Sequence, residues 1–199
     1  MAALKPLLIE SEDLRILVDT GIGELPERIA KYYRVDKTMT LEKSLRRSDL
    51  SPGDITTVVN THLHLDHCGN NKLFKGARFI AQEMEYAYAK NPHRFQKGAY
   101  VRDFFEGSRF RTVSGTYELT EDVMLIPTPG HTPGHQSVLV EGDRRFVYCG
   151  DIAPLRENYE KRNIVGVLFD SVEALASIDK LRELGGYAIF SHDNQQLTL

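Results

Sequence analysis

The chain has 199 residues, 41% hydrophobic and 27% charged, with a formal net charge of -3, an ordinary globular composition that offers no overall positive field for nucleic acid or an anionic membrane. It contains no run of about 18 apolar residues, and its opening Met-Ala-Ala-Leu-Lys-Pro lacks the basic-then-apolar order of a secretory leader. The expectation is one domain over residues 1–199, cytoplasmic, acting on a small-molecule substrate, with no nucleic-acid or membrane partner.

Leu7 to Glu10 and Arg15 to Asp19 read as strands, the second ending in Thr20-Gly21, and Glu24 to Tyr33 has helical character. Thr40 can cap a short helix running through Arg47, and after Ser51-Pro52-Gly53-Asp54 the β-branched run Ile55 to Val59 reads as a buried strand. Ala77 to Ala81 is a strand, Glu83 to Lys90 a helix and Val123 to Pro127 a strand entering a Pro/Gly-rich loop. Gln136 to Glu141 and Arg144 to Cys149 flank Gly142-Asp143, the signal of a two-residue hairpin turn. Asp170 with Glu173 predicts a capping box, opening a helix whose apolar face is Ala174, Leu175, Ile178 and Leu181 and which stops at Gly185-Gly186. Tyr187 to Ser191 is the last predicted strand. Alternating helices and strands with tight hairpins mixed in predict a mixed, helix-covered sheet structure of the α/β class.

The strand ending at Val59 leads into Thr61-His62-Leu63-His64-Leu65-Asp66-His67. In an extended segment residues two apart point the same way, so His62 and His64 can reach one ion, while the chain must turn before Asp66 and His67 reach a neighbouring one. His135 closes Thr128-Pro-Gly-His-Thr-Pro-Gly-His, Asp151 follows Cys149-Gly150, and His192 follows Ser191. We assign His62, His64 and His135 to a first ion and Asp66, His67 and His192 to a second, with Asp151 bridging. Imidazole nitrogen favours zinc, with iron, manganese and cobalt as the other candidates, and the two aspartates supply charge compensation. A pair of divalent ions acidifies a shared water into a nucleophile at neutral pH, and Asp66 can also carry a proton to the leaving group. His93 and His131 are placed outside the ligand set, His93 as exposed and His131 as a hydrogen-bonding member of its loop. Cys68 and Cys149 are too few for a disulfide framework and read as small buried hydrophobes.

Asp19-Thr20-Gly21, the His62 to His67 loop, Gly134-His135, Gly150-Asp151 and Ser191-His192-Asp193 occur in an order that resembles the metallo-β-lactamase superfamily. That resemblance implies an αββα sandwich of two mixed β-sheets flanked by helices. Within the superfamily, TPGHTPGHQS and SHDNQQ look most like the N-acyl homoserine lactonases. The implied activity is quorum-quenching lactone opening: a hydroxide shared by two divalent ions, zinc first, attacks the lactone carbonyl while Asp66 assists the departing ring oxygen. Relatives of this kind are commonly dimers, so the resemblance also allows a homodimer. Two departures stand out. Such lactonases carry a tyrosine three residues after the bridging aspartate, where this chain has Pro154, with Tyr159 nearby in sequence. They also have a further strand or two before the segment matching Arg15 to Gly21, which predicts a shortened N-terminus or a weaker sheet edge.

Two alternatives share the loop. A glyoxalase II-like thioesterase would continue into a helical domain for glutathione, and a mononuclear-iron persulfide dioxygenase would use one iron held by two histidines and an aspartate. Asn91 to Arg111 interleaves Phe95, Tyr100, Phe104, Phe105 and Phe110 with arginine and lysine, and reads either as a cap over substrate or as a packed surface.

Overall fold

Short β-branched and leucine-rich runs form strands that sort, among the described residues, into two five-stranded sheets ordered β1-β2-β3-β4-β5 and β10-β9-β8-β7-β6. The structure is a computed structural model and describes residues 2–11, 14–36 and 38–195. The contacts divide the chain into two compact units: Pro6–Ile80 with Ala89–Arg111, termed the loop unit, and Met1–Lys5 with Ala81–Tyr88 and Thr112–Leu199, termed the hairpin unit.

The first sheet is built from β1 (Leu7–Glu10), β2 (Arg15–Val18), β3 (Thr57–Val59), β4 (Arg78–Gln82) and, beyond α3 (Glu83–Lys90), β5 (Phe110–Val113). β1 runs antiparallel to β2, whereas β2 to β3 and β3 to β4 are parallel, so the sheet is mixed. Parallel strands require a crossover, and α1 (Glu27–Ala30) and α2 (Leu41–Arg46) lie between β2 and β3. Thr40 caps α2 by accepting from the Lys43 amide, as its sequence position predicts. Helical structure in the 24–33 stretch is confined to α1, which begins immediately after Pro26, where a missing amide does no harm. The loop unit's core gathers Leu17, Val58 and Phe79 from the strands with Leu45, Leu50, Ile55 and Phe74.

Within the 91–111 segment lies α4 (Arg102–Phe105), which the sequence pattern did not disclose. Tyr100, Phe104 and Phe105 are buried there and Phe110 stacks obliquely on Phe79, leaving Phe95 as the exposed large aromatic of the segment. Packing therefore claims most of these aromatics.

In the hairpin unit, β6 (Tyr117–Thr120), β7 (Val123–Pro127), β8 (Gln136–Val140) and β9 (Phe146–Tyr148) form an antiparallel meander. β10 (Tyr187–Ile189) adds in parallel to β9 after α5 (Arg156–Lys161) and α6 (Ser171–Leu184). Val140 pairs with Phe146, so the β8–β9 connection is the longer 141–145 loop rather than a two-residue turn. The Glu141 amide there bonds the Asp122 carbonyl and the Arg145 carbonyl accepts from the Tyr187 amide, so each pairs away from the β8–β9 ladder, and their side chains form an exposed ion pair. Asp170 caps α6 by accepting from the amides of Val172 and Glu173, and Gly185 ends it. The buried face is Ala174, Ser177, Ile178 and Leu181, with Leu175 only half-buried. This face meets Ile126, Leu139, Val147, Cys149 and Phe190 in the unit's core. No helix among the described residues is long and apolar enough to cross a membrane.

Candidate metal centre

In the loop unit, β3 ends at Val59, the chain bends at Thr61 and it turns over residues 65–67, where the amides of His67 and Cys68 both bond the His64 carbonyl. Leu63 is buried between His62 and His64, whose ring centroids are 4.5 Å apart; the turn then sets His67 4.0 Å from His62. Ligand atoms of His62 and His64, of His62 and His67, and of Asp66 and His67 lie within 4.8 Å of each other. Backbone packing fixes the turn. The Gly69 amide bonds the Gly21 carbonyl, and a Cβ on Gly69 would lie 2.1 Å from the Gly23 nitrogen, so this approach admits no side chain.

The histidine rings are oriented by one carboxylate, that of Asp19 at the end of β2. Asp19 is 2% exposed and sits at φ 60°, a left-handed conformation that aspartate tolerates better than most residues. Its oxygens accept from the Thr61 amide at 2.8 Å, the Thr61 hydroxyl at 2.8 Å and His67 Nδ1 at 2.8 Å. Because the Thr61 hydroxyl proton is given to Asp19, its oxygen is left to accept from His62 Nδ1 at 3.0 Å. Asp19 thus sets the same tautomer in two rings, Nδ1 protonated and Nε2 carrying a lone pair, the form a metal ligand requires. The Nε2 atoms of His62, His64 and His67 are buried and make no hydrogen bond. Tyr100 packs edge-on against His64 at 4.7 Å, and the Ala99 carbonyl accepts from the Leu65 amide, so the 91–111 segment supports the histidine loop. Asp66 is only half-buried; its negative charge, after burial, raises the Tyr33 phenol above its ordinary value.

In the hairpin unit the ligands arrive from three separate stretches and converge on Asp151. His135, at the mouth of β8, places Nδ1 2.8 Å from the Thr128 hydroxyl and 3.1 Å from the Thr128 carbonyl, while its Nε2 accepts from the Asp151 amide at 3.0 Å. His192 donates Nδ1–H to the Ala3 carbonyl at 2.7 Å and points Nε2 at Asp151 Oδ1 at 3.0 Å. Ser191 donates to the same oxygen at 2.7 Å. A carbonyl can only accept, so His192 Nδ1 keeps its proton, and a neutral ring would aim a lone pair at a carboxylate. The pair is satisfied by positive charge on the ring or by a cation held beside both groups. His131 repeats the pattern, with Nδ1 on the Val167 carbonyl at 2.7 Å and Nε2 3.7 Å from Asp151 Oδ2. The donor set and its tautomers therefore fit divalent metal.

Each predicted ligand falls in one of these two clusters: His62, His64, Asp66 and His67 in the loop unit, and His135, Asp151 and His192 in the hairpin unit. His131 bonds within its loop as expected, and it also stands near Asp151. Its Pro-Gly-His-Thr-Pro setting gave no sign of that proximity. His93 is exposed beside Phe95. Asp19 was the residue that spacing did not single out as part of the site, although an acidic side chain at a strand's end just before Thr20-Gly21 was the available signal. Tyr159 does not stand in for the tyrosine absent at Pro154, since its hydroxyl bonds the Leu181 carbonyl and its ring packs on Phe190. Both cysteines are buried as thiols. Burial pushes the Cys149 thiol far above its ordinary value, which leaves it inert.

The chain matches the family described as the Metallo-beta-lactamase superfamily over residues 6–192. It is 31% identical over 209 aligned residues to an N-acyl homoserine lactonase of Bacillus sp, covering 95% of this chain and 80% of that protein. It is 35% identical over 158 residues to the N-acyl homoserine lactonase AttM of Rhizobium radiobacter, covering 74% of this chain and 60% of that one. Among solved structures, an N-acyl homoserine lactone hydrolase with N-hexanoyl-L-homoserine bound at its catalytic metal centre superposes with a TM-score of 0.79 at 29% identity, covering 94% of this chain and 80% of that one. Two mixed sheets flanked by helices match the α/β sandwich fold of that superfamily.

Proposed function

Because the chain belongs to the metallo-β-lactamase superfamily, we propose that it is a dinuclear metal-dependent hydrolase that opens lactones of the N-acyl homoserine type. The observation that carries this reading is the shared polarity of the ligand rings. His62 and His67 through Asp19 and His192 through Ala3 each have Nδ1 anchored on oxygen, which leaves Nε2 as the nitrogen suited to a metal, and His135, anchored through Thr128, turns its Nε2 towards Asp151. The lactonase relatives at about 30% identity over nearly the whole chain supply the substrate class.

In this proposal His62, His64 and His135 hold one ion, Asp66, His67 and His192 hold the other, and Asp151 serves both. Zinc is the first candidate for both sites. When bound, such ions supply Lewis acidity and lower the pKa of a coordinated water towards about 7. The chain's own groups do the rest. Asp151 and Asp66 balance cationic charge, and Asp19 keeps His62 and His67 from rotating. The half-buried Asp66 is accessible enough to take the proton that the attacking water gives up and pass it to the ring oxygen that leaves as the ring opens. With Pro154 at the tyrosine position and Tyr159 engaged on Leu181, neither position supplies a phenol to orient substrate. We propose a cytoplasmic location and a single functional domain for the chain.

The experiment is a substrate panel of acyl homoserine lactones, glutathione thioesters and phosphotriesters on protein purified without chelator. The proposal expects lactones to give the highest kcat/KM and a chelator to abolish turnover, with added zinc restoring it. A preference for thioesters would instead support the glyoxalase II-like alternative, and oxygen uptake with one iron per chain would support the dioxygenase.

A further inference from the structure

Glu85 lies in the first turn of α3 and is fully buried, an unusual place for a carboxylate. Burying that group is costly unless hydrogen bonds replace its water, and an apolar side chain would fill the same space without the cost. Thr132 supplies a replacement, its hydroxyl donating to Glu85 Oε2 at 2.5 Å. Thr132 is also the pivot of the loop between β7 and β8: its carbonyl accepts from the amides of Gly130 and His135. The same helix presses on the loop at Gly134, where a Cβ would meet the Glu85 nitrogen at 2.0 Å, and Tyr88, one turn on, packs edge-on against Phe169. The Phe169 amide in turn donates to the carbonyls of Gly130 and His131. All these contacts lie within the hairpin unit.

We propose that Glu85 is a positioning residue that acts through Thr132 to hold the β7–β8 loop, and with it the His135 ring proposed above as a metal ligand, in its orientation towards Asp151. The inference rests on the metal reading above. Without the anchor, Thr132 loses the side-chain bond that fixes its carbonyl, and the two amides that define the loop lose a fixed acceptor. A side chain present only for packing would have no effect on metal affinity beyond its effect on folding. Glutamine, which retains an acceptor oxygen of the same reach, should replace Glu85, and alanine should not.

The test uses the full chain, with zinc affinity measured by competition against a chromophoric chelator and with the visible absorption of the cobalt-substituted protein. Glu85→Ala should bind zinc about 10-fold more weakly and shift the cobalt bands, and Glu85→Gln should restore both. A folded Glu85→Ala protein with unchanged affinity and spectrum would overturn the proposal, as would a Glu85→Gln protein as impaired as the alanine variant. If Glu85→Ala does not fold, Thr132→Val removes the same hydrogen bond from the loop side and is read by the same criteria. If the unaltered chain takes up no zinc, the metal reading itself fails and Glu85 loses this role with it.

Discussion

The two clusters of candidate ligands differ in how their rings are supported. In the loop unit, three histidines from six consecutive positions sit almost ring against ring, and a single buried carboxylate, Asp19, orients two of them. In the hairpin unit, His135, Asp151 and His192 come from distant stretches, and the rings are held by backbone carbonyls of Thr128 and Ala3. A side-chain support concentrates vulnerability in one residue, whereas carbonyl supports persist through any side-chain substitution. The loop unit should therefore be the more easily broken of the two.

The largest effect is expected at the proposed proton carrier. Asp66→Asn should lower kcat for lactone opening by about 10²- to 10⁴-fold, with far-UV circular dichroism and melting temperature retained; a variant with near-native kcat would remove Asp66 from the chemistry. Next comes the contrast between supports. Asp19→Ala should weaken metal binding by about 10- to 100-fold, because His62 and His67 lose their orientation together. Thr128→Val should weaken it by less than about 10-fold, since the Thr128 carbonyl still accepts from His135 Nδ1. Equal losses measured by zinc competition would erase the distinction between the clusters.

A smaller effect concerns pH and stability. Burial raises the Cys149 thiol, so the folded chain keeps a proton that the unfolded chain releases above about pH 8.5. Its contribution to stability is full below that pH and is lost as pH rises, with a slope of up to about 1.4 kcal/mol per pH unit. Cys149→Ala should flatten that alkaline limb in urea melts followed from pH 7 to 10, and an unchanged slope would contradict the assignment. The smallest effect is expected at Tyr159→Phe, which deletes one bond to the Leu181 carbonyl. It should cost no more than about 1 kcal/mol of stability and leave lactone turnover unchanged; a large fall in kcat would return Tyr159 to the active site.

The same contrast explains what could be read from the sequence. The proximity of His62, His64 and His67 was legible because these residues are neighbours in sequence. His135, Asp151 and His192 were legible as residue types following strands. Their convergence on one carboxylate comes from tertiary pairing of β8, β9 and β10, which local pattern does not encode. Asp19 was obscured because its partners Thr61 and His67 are far away in sequence, across the parallel β2–β3 pairing. The helix α6 declared itself through Asp170 and Gly185, whereas the 91–111 segment has no period because it passes within a few residues from a 3-10 turn to the short α4 and then to β5. The β8–β9 loop misled because Gly142-Asp143 is a strong turn signal, yet Glu141 bonds Asp122 and Arg145 bonds Tyr187, so the β8–β9 pairing stops at Val140 and Phe146.

Metal content measured together with turnover tests the dinuclear proposal most directly. Protein purified without chelators should contain two divalent ions per chain by inductively coupled plasma mass spectrometry, and lactone hydrolysis should fall and recover with those ions. Metal-free protein that hydrolyses lactones at the full rate would contradict it.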